Sequence, residues 1–131
     1  MATILVADDD PHIRGMIKKF LGRVGHTVVE AAYGVEAEQK FGEAPFDLLI
    51  TDIIMPDKEG LMLVRDLKKR ASNLRIIAMS GGGRSGAFTL LEAAEKFGAD
   101  AVLRKPFRLQ ELMDAVNGAT QAQTAPASTG D

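Results

Sequence analysis

Three consecutive acids, Asp8-Asp9-Asp10, follow a short apolar run near the start of the 131-residue chain, and Asp52 follows a second one. Ser80 and Lys105 stand at the ends of two more. Brought to one place, these groups would make three or more carboxylates, a hydroxyl and an ammonium. Two carboxylates about 4 Å apart repel by about 4 kcal/mol at an effective dielectric near 20. Such a cluster must share protons, recruit a cation or face bulk water. An oxygen-only site with open positions suits Mg²⁺, which keeps waters and accepts phosphate oxygens. A cation held there attracts a phosphoryl group, which the ammonium and the hydroxyl could bind. The chemistry these residue types suggest is phosphoryl transfer onto, or off, a carboxylate.

Whether the groups meet depends on the elements between them. Thr3–Ala7 is rich in Ile, Leu and Val, as a strand buried on both faces should be. Asp10 is a suitable N-cap with Pro11 at the first helical position, and Ile13, Met16, Ile17, Phe20, Leu21 and Val24 are spaced for one helical face, stopped by Gly25. Thr27–Glu30 reads as a strand. A short helix from Gly34 to Phe41 should pack through Val35, Ala37 and Phe41. Phe46–Thr51 is a third strand ending at Asp52, and the loop Ile53–Glu59 contains Pro56. A helix runs from Gly60 to about Arg70, with Leu61, Val64, Leu67 and Lys68 at helical spacing. Arg75–Met79 is a fourth strand, followed by the Gly-rich segment Ser80–Gly86 and a helix from about Ala87 to Phe97, closed by Gly98. Ala101–Arg104 is a fifth strand, then Lys105-Pro106-Phe107 and a last helix near Leu109–Val116.

Five strands, each followed by a helix, imply an α/β fold with a parallel sheet and helices on both faces. In open sheets of this kind, sites form at the carboxyl ends of the strands, near where the strand order reverses. The first, third, fourth and fifth strands end in the acids, Asp52, Ser80 and Lys105. That layout converges them on one edge.

Composition limits the alternatives. The length and 46% hydrophobic content suit one domain, assigned to residues 1–118. From 119 to 131 large apolar residues vanish, which predicts a disordered tail or linker. The absence of cysteine excludes a disulfide scaffold, a cysteine–zinc site and a thiol nucleophile. A net charge of −2 gives no general pull toward nucleic acid or anionic lipid. Neither a membrane span nor a secretory start is visible, so a cytoplasmic protein is expected. His12 and His26 read as surface or helix-end residues, and the six Met and six Phe as core.

The stretches Ile4-Leu5-Val6-Ala7-Asp8-Asp9-Asp10, Asp47–Pro56 with Gly60, Ser80, and Lys105-Pro106-Phe107 together resemble a response-regulator receiver domain of two-component phosphorelay systems. The resemblance covers residues 3–117 and its four motifs fall in the family's order. It implies a flavodoxin-like, three-layer fold with strand order 2-1-3-4-5. Asp52 would be the phosphoacceptor, charged by a histidine kinase or a histidine phosphotransfer protein. Asp9, Asp52 and the backbone carbonyl of Ile54 would ligate Mg²⁺, or Mn²⁺ in its place, with Asp8 acting through water. Lys105 would pair with the phosphoryl oxygens and Ser80 would hydrogen-bond to them, shifting the loop after the fourth strand and the face of the fourth helix, fifth strand and fifth helix. It further implies a signalling domain rather than an enzyme, assisting only its own phosphorylation and dephosphorylation. It would be a monomer or a phosphorylation-dependent dimer that binds an unknown downstream protein or relays phosphate, with no direct contact to nucleic acid or membrane. The resemblance also implies a cis Lys105–Pro106 peptide.

Two departures from the family stand out. Val102 replaces the usual Tyr or Phe three residues before the lysine, so no long side chain is there to change rotamer with phosphorylation. Ser80 and Lys105 are 25 residues apart, about three more than the family pattern, a size typical of loop insertions. Four glycines in Gly81–Gly86 predict a mobile loop and a shortened or shifted fourth helix. The rival reading is a small aspartate-nucleophile phosphatase using Asp8, from the Asp-x-Asp after the first strand. His12 stands where such enzymes carry a small hydroxyl residue. A flavin carrier on the same fold would need hydroxyl- and glycine-rich turns where this chain places acids.

Overall fold

Strand β1 (Thr3–Ala7) alternates its side chains between two cores. Ile4 and Val6 face one side, and Leu5 and Ala7 face the other. Both sets are fully buried, which is why the run is apolar throughout rather than alternating with polar residues. The computed structural model describes residues 1–55, 60–81 and 92–124, with side chains described as far as 120. After β1 come α1 (Pro11–Arg23), β2 (Thr27–Ala31), α2 (Gly34–Phe41), β3 (Leu48–Asp52), α3 (Gly60–Arg70) and β4 (Arg75–Ser80). A helical segment over 92–97, here α4, precedes β5 (Ala101–Arg104) and α5 (Leu109–Thr124).

The strands form one parallel sheet in the order β2-β1-β3-β4-β5, the expected α/β doubly wound, flavodoxin-like arrangement. On one face α1 contributes Ile17 and Leu21, and α5 contributes Leu112 and Val116, against Ile4, Val6, Ile50 and Ile77. On the other, Ala37 of α2 and Leu63, Val64 and Leu67 of α3 cover Leu5, Leu49 and Ile76. Each such fully buried large side chain favours folding by about 1.5–3 kcal/mol. Among the described residues no helix is long and apolar enough to cross a membrane.

Several boundaries and faces differ from the sequence reading. β3 begins at Leu48 rather than Phe46. Phe46 stacks on Phe41 at 6.1 Å, and the Asp47 carboxylate accepts the Thr3 amide at 2.8 Å, so both serve side-chain contacts before the strand starts. The α1 face is narrower than expected: Ile17 and Leu21 are buried, Ile13 and Phe20 partly so, while Met16 and Val24 are exposed. Val35 is exposed because it lies about 200° around α2 from the buried Ala37. Met1 and Phe97 are likewise exposed rather than core. Helix α5 continues to Thr124, so the tail boundary at 119 falls inside it. Ala119 is buried against the core, and the Ala and Gln that follow form helix readily. The expected mobile loop and the start of the fourth helix fall largely outside the described residues, as does Pro56.

Two local features fix where the strands end. Gly60 opens α3 directly against the end of β3, its amide donating to the Ile53 carbonyl at 2.6 Å. A Cβ there would collide with the Asp52 carbonyl oxygen and lie 2.6 Å from the Ile53 Cα. At the opposite edge His26 is half-buried just past the end of α1, its amide donating to the Leu21 carbonyl and its Nδ1 accepting the Ala2 amide, both at 3.1 Å, which makes it the helix-end rather than the surface case of the expectation. Burial, then the nearby N-terminal charge, lowers its pKa.

Gly60→Ala should therefore destabilise the protein by about 1–3 kcal/mol in urea unfolding, the size of an overpacking defect. A wild-type midpoint would mean that α3 is not held by this approach. Because the folded state favours neutral His26, its stability contribution is full above the ordinary histidine range and is lost as pH falls through it. His26→Asn keeps an acceptor without the titration. Its thermal midpoint should fall less than the wild type's between about pH 7.5 and 5.5, and parallel curves would dismiss the contact.

Candidate functional site

The carboxyl ends of β1, β3, β4 and β5 meet at one edge of the sheet. β1 delivers Asp8, whose amide donates to the Ala31 carbonyl at 3.1 Å as the chain leaves the ladder. Asp8 is fully buried, with Oδ1 accepting the Asp10 amide at 2.9 Å and Oδ2 accepting Lys105 Nζ at 2.6 Å. Asp10 turns away to cap α1, taking the His12 amide on Oδ1 at 2.9 Å. Asp9 between them is exposed. β3 ends in Asp52, nearly buried, with Oδ2 3.3 Å from Lys105 Nζ and Oδ1 3.5 Å from the Ile54 amide.

Lys105 reaches this position because its amide donates to the Ser80 carbonyl at 2.7 Å, tying the end of β5 to the end of β4. The peptide that follows, Lys105–Pro106, is cis. Ser80 is buried, and its Oγ has no hydrogen-bond partner among the described residues. Leaving a hydroxyl unsatisfied in a fold costs about 1–3 kcal/mol. Ile54 exposes its side chain beyond β3. Val102 is partly buried against the cluster of Ile53, Ala78 and Ala94.

Electrostatics makes the site one coupled unit. Burial raises the Asp52 pKa above the ordinary carboxylate value, the Lys105 charge works against this, and the Asp8 charge adds to it. Burial pulls Lys105 down, but its hydrogen bond to Asp8 and the charges of Asp52 and Asp8 together outweigh it and hold the ammonium above its usual value. Asp8, Asp9 and Asp52 each offer an oxygen, all within 4.8 Å of one another. Among the described residues one lysine faces three carboxylates, which it cannot balance. This oxygen-only donor set fits a hard divalent cation such as Mg²⁺ and lacks the nitrogen or sulfur ligands that favour zinc.

Sequence reasoning brought Asp8, Asp9, Asp52, Ser80 and Lys105 to this edge, and they are there. It missed two side chains that hold the carbonyls behind the acids. Thr51 Oγ1 donates to the Asp52 carbonyl at 2.9 Å, and an Arg14 guanidinium nitrogen donates to the Asp8 carbonyl at 2.8 Å. The only signal for Arg14 was its place one turn after the Asp10 cap.

Comparison with known proteins agrees with this architecture. The family model described as response regulator receiver domain matches residues 4–117. The transcriptional regulator NtrC of Azospirillum brasilense is 42% identical over 127 residues, covering 97% of this chain but 26% of that protein. The chain thus spans about a quarter of that relative's length. The response regulator receiver protein CpdR of Brucella abortus is 34% identical over 88% of this chain and 94% of its own length. A receiver domain protein of Clostridium thermocellum superposes with a TM-score of 0.87 at 33% identity, over 95% of this chain and 98% of that one.

Because its pKa is raised on folding, charged Asp52 opposes the fold, and the penalty grows as pH rises through the folded value. Asp52→Asn should raise the thermal midpoint of metal-free protein at neutral pH by a few degrees, equivalent to about 1 kcal/mol. The gain should vanish in acid, where Asp52 is protonated folded and unfolded. A lower midpoint at neutral pH would show that the Lys105 pairing outweighs burial and repulsion.

Proposed function

We propose that this chain, which belongs to the response-regulator receiver family, accepts a phosphoryl group on Asp52 from a phosphohistidine of a histidine kinase or histidine phosphotransfer protein. The family is a signalling domain of two-component systems. In the proposed step an Asp52 carboxylate oxygen attacks phosphorus, the bond from phosphorus to the donor imidazole nitrogen breaks, and the imidazole leaves with its electron pair and takes up a proton. The observation that carries the reading is the buried Asp52 carboxylate 3.3 Å from Lys105, sharing a cation-sized space with Asp8 and Asp9.

Asp9, Asp52 and the Ile54 carbonyl would hold Mg²⁺ or Mn²⁺, with Asp8 through water, and the cation would offset the negative charge of the phosphoryl oxygens. Lys105 supplies the second positive charge and is already poised between two of the acids. Phosphorylation adds about −1.5 to −2 charges, so Lys105 exchanges carboxylate partners for phosphoryl oxygens. The Ser80 hydroxyl, unpartnered among the described residues, gains an acceptor by moving toward the new group. That movement shifts the segment after β4 and the α4-β5-α5 face, changing the population of two surfaces rather than releasing a product. Val102 contributes packing in this scheme and no aromatic swing. The downstream partner is a protein, met as a monomer or as a phosphorylation-dependent dimer, in the cytoplasm and without direct contact to nucleic acid or membrane.

The phosphatase alternative needs a free nucleophile at Asp8. Asp8 is fully buried with its oxygens held at 2.9 and 2.6 Å, whereas the Asp52 oxygens have longer contacts of 3.3 and 3.5 Å and some exposure, which favours Asp52 as the reacting acid.

Incubation with Mg²⁺ and acetyl phosphate, followed by mapping of the adduct by mass, should give one labile phosphoryl group on Asp52. Asp52→Asn should carry none, and Lys105→Met should be slowed by about 10²-fold or more, the scale of losing one preorganised charge-stabilising donor. Continuous phosphate release that persists in Asp52→Asn but stops in Asp8→Asn would instead establish the phosphatase.

A further inference from the structure

We propose that Arg14 is a positioning residue that holds the end of β1 so that Asp8 and Asp9 are set for a divalent cation before it arrives. This rests on the phosphoryl-acceptor reading of the same site. The β1 ladder pairs Ala7 with Ala31 on one side and Thr51 on the other, and there it stops. The next carbonyl, on Asp8, lies beyond the last paired residue of both ladders, and a buried carbonyl left without a donor is costly. The guanidinium of Arg14 meets it at 2.8 Å, while its Nε donates to Glu30 Oε1 on β2 at 3.0 Å.

The guanidinium is itself fixed. Arg14 is largely buried, and Glu30 is anchored a second time by Lys40, which donates to the Glu30 backbone carbonyl at 2.7 Å. Lys18, one turn further along α1, lies 3.8 Å from the other Glu30 oxygen. A planar fork with donors at set angles spans two acceptors in a way that a single ammonium cannot. The turn carrying Asp9 is thus pinned through the Asp8 amide, the Asp8 carbonyl and the Asp8 carboxylate. Ordering carboxylates against their mutual repulsion is done by the fold. Outer-shell partners of metal ligands typically contribute about 10–100-fold in metal affinity, and Arg14 stands in that relation to Asp8 and Asp9.

The test compares wild type, Arg14→Met, Arg14→Lys and Glu30→Gln. Mg²⁺ affinity is measured by calorimetry, exchange of the Asp10 amide proton in metal-free protein by NMR, and acetyl phosphate labelling as a function of Mg²⁺. Arg14→Met should bind Mg²⁺ about ten-fold more weakly or worse and exchange the Asp10 amide faster. Its maximal labelling rate at saturating Mg²⁺ should stay within about two-fold of wild type, a split that general unfolding would not give. Arg14→Lys should recover little of the affinity, and Glu30→Gln, which keeps an acceptor for Nε, should lose least. Wild-type affinity in Arg14→Lys would show that charge alone suffices, and wild-type affinity in Arg14→Met would overturn the proposal outright. If wild type itself neither binds Mg²⁺ nor is labelled, the acceptor reading has failed instead.

Discussion

The structure depends on a charge imbalance: among the described residues, one ammonium faces three carboxylates at the end of a dry sheet. Left alone, the acids would repel one another or take up protons. Lys105 prevents this only in part, because it reaches Asp8 and Asp52 while Asp9 remains at the surface. The surrounding architecture maintains that incompletely balanced state. Parallel strands place the acids at one edge, the main-chain bond from Lys105 to Ser80 sets the lysine's reach, and apolar layers on both faces exclude water from behind. A resting site that is short of positive charge is one that a cation and then a phosphoryl group can enter with net relief.

Much of this was legible in the sequence because it depends on local rules. Buried parallel strands read as apolar runs, so β1 and β5 were bounded correctly from Thr3–Ala7 and Ala101–Arg104, and Asp10-Pro11 marked the start of α1. What failed was decided by tertiary contacts. Met16, Val24 and Val35 have the right spacing or neighbours for a core but are exposed, with no element of the described residues covering them. Ala119 anchors α5 beyond the point where composition alone ends the helix. The acids, Ser80 and Lys105 were found because strand ends in such sheets are site positions. Thr51 and Arg14 were not, because a side chain's hydrogen bond to a main-chain carbonyl leaves no periodic trace even when the two are near in sequence.

The region around Val102 shows how a site and its readout separate. Its neighbours Ile53, Ala78 and Ala94 form a small aliphatic cluster on the same sheet face as α3. A β-branched valine has one stiff torsion there and little freedom to report on Ser80 by changing rotamer. Val102 can take part in a response on this face through packing and backbone shifts rather than through a rotamer swing.

The amide of Lys105 resting on the carbonyl of Ser80 has a consequence for how such a protein can diverge. The backbones of the two residues that would grip the same anionic guest are tied by one main-chain bond, so the two positions shift together. A one-step slip between the last two strands would misplace the cationic arm and the hydroxyl together. Substitution at Val102, or a change in the length of the segment between the two strands, leaves that main-chain bond in place.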